Sequence, residues 1–88
     1  KEAARRREAT RPLRARIEKL EKQQASLQQH LATLEQQLAD EQMYLAENKK
    51  QLLAAMDQQS SIKAELESID NETLELMMEI EGIEASFD

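Results

Sequence analysis

The chain has 88 residues, 40% apolar and 34% charged, with one Gly, one Pro, no Cys, a net charge of −6, and only Tyr44 and Phe87 as aromatics. There are too few large side chains to fill a globular interior, no thiols for disulfides or thiolate metal sites, and no apolar run near the roughly 18 residues of a membrane span. An all-α, soluble segment of a larger protein is expected, with the cytoplasm as its location because Cys is absent and no short apolar leader segment lies near the N-terminus.

The charge is sorted along the chain. Residues 1–22 hold nine Lys or Arg against four Glu, whereas residues 64–88 hold nine acids and no base. The first ten residues, with Arg5, Arg6 and Arg7 in a row, read as a basic lead helix or a linker from an upstream domain. Pro12 is tolerated in a first helical turn but costs about 3 kcal/mol in a helix interior. Thr10 is therefore the expected N-cap, and the hairpin proper is expected over 11–88.

The first long helix is predicted at about 11–39. With Ile17 as heptad position a, the a and d positions are Ile17, Leu20, Gln24, Leu27, Leu31, Leu34 and Leu38, a coiled-coil seam. The frame then passes through Glu41, Leu45, Asn48, Leu52, Ala55 and Gln59, where the core weakens. A short, partly helical tip is expected at about 40–48, with Asp40 capping its start, Asn48 at the start of the next helix, and Met43, Tyr44 and Leu45 packed over the end. The second helix is predicted at about 48–87, on the seam Ile62, Leu66, Ile69, Thr73, Leu76, Ile80, Ile83 and Phe87.

Because the heptad phase never slips, periodicity also permits one continuous helix about 130 Å long, paired in a parallel dimer. Charge favours the alternative. In a parallel dimer the acidic segment lies beside its own copy and repels it; in an antiparallel hairpin it folds back beside the basic segment. A register that sets Leu38 level with Ala55 also layers Leu31 on Ile62, Leu27 on Leu66, Ile17 on Leu76 and Leu13 on Ile80, mixing a with d as antiparallel packing requires. The expected fold is thus a two-helix antiparallel coiled-coil hairpin, monomeric, with a short partly helical tip.

No catalytic constellation is present. The carboxylates belong to solvated helix faces, where nothing perturbs their protonation for acid–base work. His30 falls at position g, with no second His or Cys at metal-ligand spacing, and reads as a polar flank. Gln24 and Gln59 read as register devices in the core. Met77 and Met78, at e and f, read as packing toward the neighbouring helix or a partner domain. Arg5, Arg6, Arg7, Arg11, Arg14, Arg16 and Lys19 remain as a candidate phosphate contact. Without interleaved aromatics such contact would be to the backbone rather than to bases. Composition alone leaves an even choice between this role and simple charge pairing with the acidic helix.

An arginine-rich lead, "RPLRARIEKLEK", a leucine heptad run, the tip "LADEQMY" and then "ESIDNETLELMMEIE" together resemble the C-terminal coiled-coil domain of ABC-F ATPases, closest to the YheS-like branch and more distantly to Uup. The resemblance covers nearly the whole chain. One departure is Thr73, where the family often has a Trp in the second helix, so a stacking role there has no support. The resemblance implies a cytoplasmic interaction arm. The parent's two cassettes would bind ATP and Mg, while this segment itself would carry no cofactor, no small-molecule substrate and no membrane contact. Its implied partners are nucleic acid, the ribosome and the parent ABC domains. The rival is a purely structural coiled coil that dimerises or spaces other domains.

Overall fold

The computed structural model describes residues 1–87, so the predicted acid Asp88 lies outside the described residues. Two long helices, α1 (Glu2–Ala39) and α2 (Lys49–Ala85), are joined by two short 3-10 turns, Glu41–Tyr44 and Ala46–Asn48. The molecule measures 66 × 15 × 14 Å. That is about half the length a single continuous helix of this size would reach, and α1 and α2 pack against each other along the rod. The fold is a helical hairpin.

Both helices bury one stripe. In α1 the residues less than fully exposed are Arg6, Thr10, Leu13, Ile17, Leu20, Gln24, Leu27, Leu31, Leu34 and Leu38, separated alternately by four and three. In α2 the stripe includes Leu52, Ala55, Gln59, Ile62, Leu66, Ile69, Thr73, Leu76, Ile80 and Ile83. Leu34, Ala55 and Ile62 form a core cluster with Leu27, Leu31, Leu38 and Leu66 packed around it, the set brought together by levelling Leu38 with Ala55. Gln24 Nε2 donates to Asp70 Oδ1 across the helix pair at 2.8 Å, which anchors the register at a polar core position.

The start of α1 differs from expectation. The helix runs unbroken from Glu2, with Pro12 inside it, and Thr10 is not its N-cap. Thr10 is instead the most deeply buried polar residue, 1% exposed. Its hydroxyl donates to the Arg6 carbonyl at 3.0 Å and accepts from Arg14 Nε at 3.1 Å. The reason is register: Thr10 lies one heptad before Ile17, so continuing the helix places it in the seam. Pro12 faces solvent, where water can reach the carbonyl that its missing N–H leaves without a partner.

The tip occupies 40–48 as expected and uses no glycine; no described residue has positive φ. Asp40 caps the first turn, its Oδ1 accepting from the Gln42 N–H at 3.0 Å. Asn48 immediately precedes α2 but does not cap it through its side chain; its Nδ2 donates back to the Gln42 carbonyl at 2.8 Å. The expected apolar lid is reduced to Met43. Tyr44 is 60% and Leu45 48% exposed, and the Tyr44 hydroxyl reaches the last turn of α1 and donates to the Leu38 carbonyl at 2.7 Å.

Candidate nucleic-acid interface

The seven cations expected to form a phosphate contact all lie on the first half of α1, but the helix sorts them onto different sides. Successive residues point about 100° apart, so Arg5, Arg6 and Arg7 diverge. Arg6 falls on the buried stripe and is half-buried. Arg14 and Arg16 flank the stripe and reach α2, one on each side.

Arg16 makes a bidentate pair with Glu72, Nε to Oε2 at 2.7 Å and Nη2 to Oε1 at 3.1 Å. This side-chain hydrogen bonding, with the charge attraction added to it, raises the Arg16 pKa. The same hydrogen bonds hold the Glu72 carboxyl below the usual glutamate range. Arg14 Nη2 meets Glu84 Oε1 at 2.6 Å while its Nε is held by Thr10, so the guanidinium is aimed from both ends. These two arginines answer to the acidic helix.

The remaining four are open to solvent. Arg11 has only a long contact to Glu8, 3.7 Å, with both side chains 76% exposed. Arg5, Arg7 and Lys19 have no carboxylate within 4.0 Å among the described residues. Arg7 and Arg11, with Arg14, line an open hollow of about 660 Å³ over Ala4 and Ala15. Arg5 and Lys19 lie farther round, two heptads apart on one face. The expected cluster is therefore split between inter-helix ties and a free set.

Sequence reasoning missed Thr10, which positions Arg14, and did not separate Arg6 from its neighbours. Carrying the heptad frame back from Ile17 would have found both. Among the described residues no group of three His, Asp or Glu is placed to hold a metal ion, and no helix is long and apolar enough to cross a membrane. Gln24 does use the opposite helix for its hydrogen bond, as a core register residue should.

Comparison with protein-family models, with curated proteins and with solved structures gave no match.

Proposed function

We propose that this chain is a non-catalytic interaction arm that meets nucleic-acid phosphates, on DNA, tRNA or ribosomal RNA, through the exposed cations of α1. The resemblance to the C-terminal domain of ABC-F ATPases supports placing it beside cytoplasmic cassettes that bind ATP and Mg, with the arm itself taking no part in hydrolysis. The observation that carries the reading is the leftover charge. After α2 engages Arg14 and Arg16, Arg5, Arg7, Arg11 and Lys19 still face solvent.

Guanidinium and ammonium groups on a rigid helix neutralise phosphates and release counterions, a contact that needs no base recognition. The acidic α2 shapes where this can happen. It closes one side of the rod to polyanions and leaves the outer side of α1 as the approach.

The test is a titration of the chain into labelled duplex DNA and structured RNA, followed by anisotropy at several salt concentrations. The expected result is affinity that falls steeply with salt. Changing Arg5, Arg7 and Arg11 to Ala lowers the logarithmic salt slope on duplex DNA by roughly three, about 0.9 for each phosphate that is no longer neutralised. Absence of binding at low salt overturns the reading and leaves the structural coiled coil.

A further inference from the structure

The outer surface of a two-helix hairpin should be polar, since only one stripe of each helix has a partner. On α2 it is not. Leu53, Met56, Leu74 and Met77 are 56%, 50%, 58% and 52% exposed. They are not scattered: Leu53 and Met56 recur three heptads later as Leu74 and Met77, about 30 Å farther along the same face. The positions between and beyond them on that face, Lys49, Ser60, Lys63, Glu67, Asp70 and Glu81, continue the alternating spacing of four and three. This is a second heptad seam, roughly a quarter-turn from the one that holds α1.

We propose that this seam takes a second copy of the chain, its α2 running antiparallel to the first about a twofold axis beside residue 65. The sequence is self-complementary in that register. Leu53 of one copy meets Met77 of the other, Met56 meets Leu74, Lys63 meets Glu67, and Lys49 meets Glu81, each pair twice over by symmetry. Every pair joins the two distinct heptad positions of the seam, as antiparallel packing demands. The four charged residues are exposed and have no oppositely charged partner within 4.0 Å in the single hairpin, among the described residues.

Other registers do worse. Centring on Leu74 and Met77 opposes Asp70 to Glu81, both acidic. Centring on Leu53 and Met56 leaves the other apolar pair bare. A parallel arrangement sets Lys63 against Lys63 and Glu67 against Glu67. Repulsion or an uncovered apolar pair thus disfavours each of these competitors, while attraction fixes one partner geometry. On the same side of the rod α1 carries Ala25, Ala32 and Ala39, all exposed. These small side chains leave room for the second α1, so that the two hairpins close into a four-helix bundle.

Sedimentation equilibrium tests this, with circular dichroism to confirm that each variant remains helical. The chain is expected to reach twice its 10.1 kDa mass as concentration rises from micromolar to millimolar. Lys63→Glu, which opposes four acids at the twofold axis, should weaken association roughly tenfold or more. The double exchange Lys63→Glu with Glu67→Lys should restore it, because each copy again offers one charge of each sign. A mass that stays at 10.1 kDa throughout overturns the proposal, and so does a dimer indifferent to Lys63→Glu.

Discussion

Thr10 shows how one side chain can serve both helix and tertiary pair. Its hydroxyl returns a bond to the Arg6 carbonyl and receives one from Arg14, the arginine that crosses to Glu84. Replacing it with Val keeps the volume and removes the hydrogen bonds. The expected loss is about 1 kcal/mol, read by chemical denaturation, and it stays this small because the seam position itself remains filled. Glu72 supplies a pH signature. Arg16 depresses its pKa on folding, so its contribution is present above the ordinary glutamate range and is lost as pH falls through that range toward the lower folded value. The drop in melting temperature between neutral and acid pH should therefore be smaller in Arg16→Gln than in the parent chain. An equal drop in both would show that the pair adds nothing in solution.

At the scale of the helices, the second half of each seam was readable from leucine and isoleucine spacing alone, and so were the tip and the direction of the fold-back, the latter from charge. The start of α1 was not. Proline and a preceding threonine are strong local signs of a helix beginning, yet Thr10 is also one heptad from Ile17. Burial in the seam prevailed over the local preference. The arginine set was only partly legible for the same reason, since a residue's side of the helix depends on a frame that a helix start at Pro12 would cut short. It follows that Pro12→Ala should stabilise the hairpin by about 2 kcal/mol, restoring a hydrogen bond in a helix that already continues through the site. A thermal melt would show the increase, whereas a true first-turn proline would give a loss. Leu20, 1% exposed, is the opposite case. Leu20→Ala should cost about 2–5 kcal/mol, enough to unfold much of so thin a structure.

For the whole molecule, antiparallel pairing about residue 65 places the two rods almost wholly alongside one another, since that residue lies near the middle of α2. Solution scattering should then find a maximum dimension that stays near 66 Å while the mass doubles and the cross-section thickens. An assembly that grew longer as it gained mass would point to end-to-end contact. The same geometry carries the Arg5, Arg7 and Arg11 sets of the two copies to opposite ends of the bundle, so that one assembly would offer two phosphate contacts facing apart.

The distribution of forces along the hairpin has a kinetic meaning. The apolar cluster of Leu34, Ala55 and Ile62 lies toward the tip, and the tip is bound into one shape by Asp40, Tyr44 and Asn48. The far end buries Ile17, Leu20, Ile69 and Ile80 as well, and adds exposed Arg–Glu pairs whose partners are as much as 70 residues apart in sequence. Closing the short loop first costs least entropy, so the rod zips from tip to open end and unzips in reverse. A polyanion that competes with Glu72 and Glu84 for Arg16 and Arg14 would thus act at the end that closes last and opens first, prising the helices apart where its own binding groups are released.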